Sequence, residues 1–229
     1  MSNSTTSAAR VRPPLGAAGA VAGREIARLQ RGYLSDESAA VAALARLRRG
    51  VGKGAGTVPD LWGLVDLGDL YAEGRSERDV ARAEEAVHTA LTLWAVHQQS
   101  RPAAMHRSGG HELGAAVRAL MPPGETDEAL RKRFVRTGTA GSLPVLATRL
   151  REIVLLLRQQ DIALDYAVLA HQLHTWARPQ GADAVRSAWG RSFHVYRAPA
   201  EDPGAGDAVP DSPAGAGVDA DLTDPKDIL

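Results

Sequence analysis

The chain has 229 residues, no cysteine, and 27 basic side chains matched by 27 acidic ones. Without cysteine it can form neither a disulfide nor a thiolate metal site, and it has no cysteine nucleophile. No apolar run approaches the length of about 18 residues that a membrane helix needs. We therefore expect a cytoplasmic protein that does not contact a membrane.

The zero net charge conceals two parts of opposite character. Residues 201–229 hold eight of the 27 acidic residues but only one of the 27 basic residues, so residues 1–200 carry 26 basic and 19 acidic side chains, a net charge of +7. The terminal segment is rich in Pro, Gly, Ala and Asp and cannot bury enough apolar surface to offset its ordering entropy. We predict a basic folded body followed by a disordered acidic tail over residues 198–229.

Apolar residues recur at helical spacing along almost the whole body. After a disordered tail over residues 1–19, the predicted helices cover about residues 22–33, 36–49, 61–70, 76–99, 111–120, 127–137, 143–158, 165–178 and 183–196. Pro59 stands near the start of the third helix, and Ser76 with Asp79 forms a capping-box-like start for the fourth. No alternating run of β-branched residues predicts a strand.

The pattern therefore predicts an all-α fold, a helical bundle of about eight to nine helices. The loops at residues 100–110 and 121–126 would divide it into two lobes, residues 20–121 and residues 122–197.

The segment Gly50–Thr57 superficially resembles a phosphate-binding loop. A Walker A loop needs Gly-Lys followed directly by Ser or Thr and a strand before the loop, whereas here Gly54 follows Lys53 and a helix precedes the loop. We therefore expect no nucleotide-binding site here and interpret the segment as a flexible connection between helices. A third interpretation is that its backbone and Lys53, beside Arg48 and Arg49, contact phosphate without specificity.

His171 and His174 are three residues apart and share a helix face, with Asp161 and Asp165 as possible further metal donors. A metal-dependent hydrolase built on this pair is one hypothesis. The sequence contains no HExxH motif and no dense carboxylate cluster, so we expect no bound metal and no cofactor.

His106 and His111 flank two glycines in a loop and could exchange protons with a substrate. No partner carboxylate or nucleophile can be identified for them, and the chain contains no GxSxG motif. We therefore predict no catalytic residue and no enzymatic activity.

Arginine is the most informative polar residue, because the chain contains only three lysines. The guanidinium group pairs with phosphate through two parallel hydrogen bonds. Helical proteins also carry solvated basic faces, so binding to nucleic acid and binding to acidic partner proteins both stay open on composition alone. Trp94, Trp176 and Trp189 lie on apolar stripes and are predicted to pack in the core rather than to stack on bases.

A series of short motifs follows in order along the body. They are LRRG at 47–50, ALTLWAVHQ at 90–98, MHRSGG at 105–110 leading into Leu113-Gly114, RF at 133–134, LREIVLLLR at 150–158, LDYA at 164–167, Trp176, and WGRSFH at 189–194. This pattern, which spans about residues 23–196, resembles the small subunit of the type I-E CRISPR surveillance complex Cascade, the CasB family.

The resemblance implies an all-helical protein without catalytic activity. It implies as partners the backbone and large subunits of Cascade, a second copy of the chain, the crRNA and the target DNA. Nucleic acid would be contacted without sequence preference, and the contacts would help to hold the R-loop with its displaced strand.

We expect eight residues to supply most of these contacts: Arg48, Arg49, Lys53, Arg101, Arg107, Arg131, Lys132 and Arg136. Arg48 and Arg107 match positions inside the family motifs, and the other six follow from charge clustering. The alternative is a helical scaffold subunit whose arginines bind acidic partner proteins instead of nucleic acid.

Overall fold

A computed structural model describes residues 14–196, which form eight α-helices and two 3-10 turns. The elements are α1 (Ala17–Leu34), α2 (Ser38–Arg49), η1 (Pro59–Leu61), η2 (Gly68–Tyr71), α3 (Glu77–Gln98), α4 (Leu113–Ala119), α5 (Glu128–Gly138), α6 (Leu143–Gln159), α7 (Tyr166–Trp176) and α8 (Gly181–Val195). An isolated bridge between His106 and Leu164 is the only β-type pairing in this range. The predicted all-α class is confirmed, and no described helix is long and apolar enough to cross a bilayer.

The first helix begins inside the segment that was predicted as an N-terminal tail. Ala18 and Gly19 are buried, and a Cβ at Gly19 would lie 2.7 Å from the carbonyl oxygen of Ala167 in α7. Small side chains let the two helices approach closely, and the chain is helical from Ala17 rather than from about residue 22. Residues 1–13 and 197–229, which hold the rest of both predicted tails, lie outside the described residues.

The predicted helix over residues 61–70 is wrong, and two 3-10 turns, η1 and η2, flank an irregular segment instead. Gly63 has a φ of 69°, which a right-handed helix does not accommodate. Arginine side chains of α1 donate hydrogen bonds to carbonyl groups that, in a helix, would accept from backbone amides of the same helix. Arg28 Nη2 donates to Leu64 O at 3.2 Å, and Arg24 Nη2 donates to Asp66 O at 3.2 Å.

Helix α3 is the centre of the bundle and packs against α1, α2, α6 and α7. Every residue from Thr89 to Gln98 is buried, as expected of a helix that has neighbours on all sides. Because α7 packs against both α1 and α3, the two predicted lobes share one apolar core. The three tryptophans predicted to be internal, Trp94, Trp176 and Trp189, are all buried in it.

Buried polar groups tie α1, α3, α7 and the loop before α4 together. Gln30 Oε1 accepts hydrogen bonds from Trp94 Nε1 at 3.2 Å and from the His106 amide at 2.8 Å. The Nδ1 atom of His106 accepts from the Tyr166 amide at 3.2 Å, and the Tyr166 hydroxyl is hydrogen bonded to Nδ1 of His97 at 3.0 Å. Buried polar groups are costly unless they are paired, so this network fixes the relative positions of the elements that it joins.

Helices α4 and α8 cross at their closest point over Gly114. A Cβ there would lie 2.0 Å from Trp189 O and 2.4 Å from Ser192 Oγ. Gly190 follows Trp189 on α8, and no neighbouring atom lies within 4 Å of the position that a Cβ would take there. Gly190 therefore tolerates an added methyl group, whereas Gly114 does not.

We predict that Gly114→Ala lowers the free energy of unfolding by about 1–3 kcal/mol, because the added methyl forces α8 away from α4. Gly190→Ala adds the same atom without a clash and should raise stability by up to about 1 kcal/mol through helix propensity. Urea unfolding followed by circular dichroism measures both changes. Equal effects of the two substitutions would contradict the close crossing.

A second prediction concerns His97. Burial, and then the positive charges of Arg101 and Arg158, lower its pKa from 6.5 to about 3. The unfolded chain binds a proton at this residue below about pH 6.5 and the folded protein does not, so stability is lost as pH falls. Between pH 7 and pH 5 this residue should cost about 2 kcal/mol of unfolding free energy.

His97→Asn should remove this part of the pH dependence while keeping a polar side chain opposite the Tyr166 hydroxyl. Urea titrations of both proteins at pH 7, 6 and 5 test it. The other histidines are present in both proteins, so identical slopes with pH would show that His97 is not the residue responsible.

Candidate nucleic-acid interface

Helices α3 and α6 lie side by side and run in the same direction. Glu85 and Thr89 of α3 line one cavity with Pro144 and Ala147 of α6, while His97, further along α3, lies beside the Leu157 carbonyl near the end of α6. The line between the two helices therefore runs from the glycine-rich loop at one end to the loop after α3 at the other. We call this line the α3–α6 seam.

Four basic side chains follow the α3–α6 seam, and we call them the seam cations: Lys53, Arg151, Arg158 and Arg101. Lys53 and Arg151 line the same cavity of about 140 Å³ between the glycine-rich loop, α3 and α6. Arg158 lies seven residues after Arg151, which places it on the same side of α6 about 10 Å further along the helix.

The far end of the seam is defined by the electrostatics of His97. Positive charge from both Arg101 and Arg158 acts on this buried histidine and adds to the effect of burial on its pKa. Both guanidinium groups therefore lie within electrostatic range of His97, which stays neutral. Arg101 Nη1 donates to Asp161 Oδ2 at 3.1 Å, whereas the buried Nε of Arg158 has no hydrogen-bond partner within residues 14–196.

The glycine-rich loop is fastened to α3 and leaves Lys53 exposed. His88 Nε2 is hydrogen bonded to Gly50 O at 3.2 Å, and the Ala55 amide donates to Glu85 Oε2 at 2.8 Å. A carboxylate of the protein thus occupies one of the backbone donors that a phosphate loop would offer to its ligand. The loop follows helix α2 and not a strand, and Gly54 stands where a Walker A loop has Ser or Thr. It therefore lacks both features of a Walker A loop.

Arg48 and Arg49 end α2 next to this loop, and their surroundings differ. Arg48 is half-buried and has no ion pair with any described residue. Arg49 is exposed, and its Nη2 lies 3.5 Å from Asp60 Oδ2.

Arg107 is exposed on the loop before α4, which is held against the start of α7. Its amide donates to Leu164 O at 3.2 Å, and the Gly109 amide donates to Asp165 Oδ2 at 2.8 Å. The backbone is therefore fixed while the Arg107 side chain makes no ion pair in the described part of the chain. Both Arg107 and Arg101 lie against the segment that connects α6 to α7.

The predicted cluster on α5 is separated from the seam by α6. Arg149 of α6 donates to the carbonyl of Arg136, so its side chain points toward α5. Successive helix residues are 100° apart, so Arg151 points to the opposite side of α6. Arg131 is engaged by Glu128 through two hydrogen bonds of 2.7 and 2.9 Å, while Lys132 is exposed.

The structure thus joins some of the predicted residues and separates others. Lys53 and Arg101 stand at the two ends of one seam, whereas the α5 cluster lies across α6. Arg151 and Arg158 were not among the predicted residues, although their spacing of seven on a predicted helix could have identified a shared face. Arg151 and Arg158 matter because the face of α6 that carries them borders α3, where Lys53 and Arg101 also lie.

The two histidines of α7 have structural partners. Nδ1 of His171 accepts from the Gly16 amide at 3.2 Å, and Nε2 of His174 lies 3.2 Å from Asp79 Oδ1. Within residues 14–196 no three His, Cys, Asp or Glu side chains are arranged to hold a metal ion. His171 and His174 are therefore each engaged by another group of the chain in this structure.

Comparison with known proteins gives a consistent set of relatives. The family model of the CRISPR-associated protein Cse2 matches residues 43–194. The crystal structure of CasB from Thermobifida fusca is similar over 79% of this chain and 99% of its own length, with 50% identity and a TM-score of 0.73. M. ruber CasB matches 67% of this chain and 83% of its own, with 26% identity and a TM-score of 0.52.

A third solved structure shows the same fold at lower identity. A chain of a CRISPR RNA-guided surveillance complex matches 77% of this chain and 95% of its own length, with 20% identity and a TM-score of 0.57. No curated protein matches the chain.

Proposed function

Because the chain belongs to the CRISPR-associated Cse2 family, we propose that it is the non-catalytic small subunit of a type I-E Cascade complex and holds nucleic-acid backbone along the α3–α6 seam. The resemblance to CasB that the motifs indicate is confirmed by these relatives. Beyond family membership, we propose that the chain helps to hold the R-loop with its displaced strand.

The observation that carries the proposal is the row of seam cations. Of the four, only Arg101 has an ion pair with a described residue. Lys53 and Arg151 are exposed, and Arg158 is half-buried. A phosphate group would be attracted by all four charges and would pair with the solvent-facing parts of these side chains.

Such a surface suits the energetics of R-loop formation. The heteroduplex that forms is about as stable as the DNA duplex that it replaces, so contacts to the backbone can shift the balance without reading bases. A row of cations supplies contacts of this kind, which depend on salt and not on sequence. The proposal therefore needs no base-specific residue.

The partners that we propose are the crRNA, the target DNA, the backbone and large subunits of Cascade, and a second copy of the chain. One support is that a chain of the same fold was solved within a CRISPR RNA-guided surveillance complex. A cytoplasmic location suits such an assembly.

One observation favours the alternative of a scaffold that binds acidic partner proteins. Three of the predicted arginines, Arg49, Arg101 and Arg131, pair with carboxylates of the chain itself. Partner carboxylates could replace these pairs, each of which is worth little at an exposed position.

Replacing three seam cations in Lys53→Gln, Arg151→Gln and Arg158→Gln together should weaken binding of the purified protein to single- and double-stranded DNA. The loss should be about equal for all sequences. The slope of log affinity against log salt should fall by about 0.7–0.9 for each phosphate contact removed. Fluorescence anisotropy over a salt series measures both quantities.

The control removes two exposed charges away from the seam, in Arg78→Gln and Arg191→Gln. For each charge removed, it should change the salt slope much less than the seam variant does. Equal effects per charge removed would mean that net charge, and not the seam, determines binding.

A further prediction concerns the two arginines that match family motifs. Removing both charges, in Arg48→Gln with Arg107→Gln, should weaken target binding by the assembled complex to a similar extent for every target sequence, because backbone contacts carry no sequence information. The far-ultraviolet circular dichroism should be unchanged. A changed sequence preference would contradict this mechanism.

A further inference from the structure

A second surface, between α2, α3 and the two 3-10 turns, has a different chemistry from the seam. Trp62 is 69% exposed and Tyr71 is 59% exposed, more than any other large apolar side chain in the described residues. Both line a cavity of about 280 Å³, whose floor includes Leu47, Val87 and Leu91. We call Trp62, Tyr71 and this cavity the aromatic face.

The two rings of the aromatic face are held at their polar ends. Trp62 Nε1 donates to Gly56 O at 3.0 Å, and the Tyr71 hydroxyl donates to Glu84. The same contact with Glu84, followed by burial, raises the pKa of Tyr71. The hydrogen-bonding groups are therefore satisfied within the protein while the apolar surfaces of both rings stay exposed.

The backbone that carries the rings is also fixed. Arg28 and Arg24 of α1 bind the carbonyl groups of Leu64 and Asp66. Glu25, which is 3% exposed, lies 2.9 Å from Arg28 and 3.3 Å from Arg24 and so orients both arginines. A surface that is already rigid before binding loses little entropy when a partner docks.

The charge around the aromatic face is negative. Residues 59–74 contain Asp60, Asp66, Asp69 and Glu73 and no lysine or arginine. Asp60 and Asp69 have ion pairs with Arg49 and Arg24, whereas Asp66 and Glu73 have none in the described region. Glu84 adds a further carboxylate at the edge of the cavity.

This charge decides between two possible occupants. Exposed aromatic rings can stack on nucleic-acid bases, but such sites lie in positively charged grooves that attract the backbone. Here the segment that carries the rings has four carboxylates and no cation, and Glu84 is the one charged Asp, Glu, Lys or Arg side chain that lines the cavity, so phosphate is disfavoured. Exposed Trp and Tyr are also the residues that contribute most to protein interfaces, and a tryptophan ring attracts cations over its face.

We propose that the aromatic face docks a basic segment of a neighbouring protein subunit. An apolar side chain of that segment enters the cavity, and its lysine or arginine residues meet Trp62 and the surrounding carboxylates. The assignment of the partner to the same surveillance complex rests on the proposed function, whereas the chemistry of the surface does not. The protein thus has a basic seam for nucleic acid and a separate acidic, aromatic surface for protein.

The test uses the assembled complex, with this chain co-expressed with the other subunits of its complex and a crRNA. The measured quantity is the amount of this chain retained by an affinity tag on those subunits at fixed salt. Trp62→Ala should reduce retention at least tenfold, and Trp62→Phe should restore most of it. Glu73→Lys, which reverses one charge and breaks no hydrogen bond of the described structure, should reduce retention several-fold.

Val135→Ala is the matched control, since Val135 is an apolar side chain of α5 that is 50% exposed and lies outside the cavity. It should leave retention unchanged. Circular dichroism checks that each variant is folded. Full retention of Trp62→Ala would overturn the proposal.

A photoreactive benzophenone amino acid in place of Tyr71 identifies the occupant in the same complex. A cross-link to a segment of another subunit that contains lysine or arginine supports the proposal. Cross-links to the crRNA or DNA, to a second copy of this chain, or to no neighbour at all overturn it.

Binding of the purified Trp62→Ala protein to DNA separates this proposal from the proposed function. It should equal that of the unmodified chain, because the seam is intact. If the unmodified chain binds no DNA but the protein cross-link forms, the proposed function fails and the docking surface stands.

Discussion

The structure depends on the complete burial of the second half of α3. A helix with neighbours on every side must satisfy its polar groups within the protein, and Gln98 shows how. Its Nε2 donates to Arg101 O at 3.0 Å and to Ala103 O at 2.8 Å, and its Oε1 accepts from the Met105 amide at 2.9 Å. One buried side chain therefore fixes the loop that carries Arg101 toward the end of α6.

The position of the seam follows from the same constraint. Helix α6 packs against α3, and Arg151 and Arg158 lie on the side of α6 that borders it. His97 stays neutral because burial disfavours its charged form, and because protonation would add a positive charge near Arg101 and Arg158. At this end of the seam Arg101 is paired with Asp161, whereas Arg158 has no ion pair with a described residue.

Arginine has two different roles in this molecule. Arg24 and Arg28 form part of a basic helix face in the sequence, yet in the structure they bind Glu25 and the backbone of the segment before η2. That segment in turn presents Trp62 and Tyr71 in acidic surroundings. The basic excess of the folded body is therefore unevenly distributed, and the proposed nucleic-acid surface and the proposed protein surface differ in sign of charge.

Apolar spacing and capping residues were enough to predict most helices from the sequence. Counting charges was enough to predict the basic body. The start of α3 is an example, since Ser76 Oγ accepts from the Asp79 amide as the capping pattern indicates. The same rules failed between Pro59 and Tyr71, because arginines of a distant helix bind the backbone there. Only the tertiary structure decided which cations have distant partners, as Arg101 has in Asp161, and which line one cavity, as Lys53 and Arg151 do. Helix periodicity and capping depend on neighbours in sequence, whereas ion pairing and shared surfaces depend on which helices become neighbours in space.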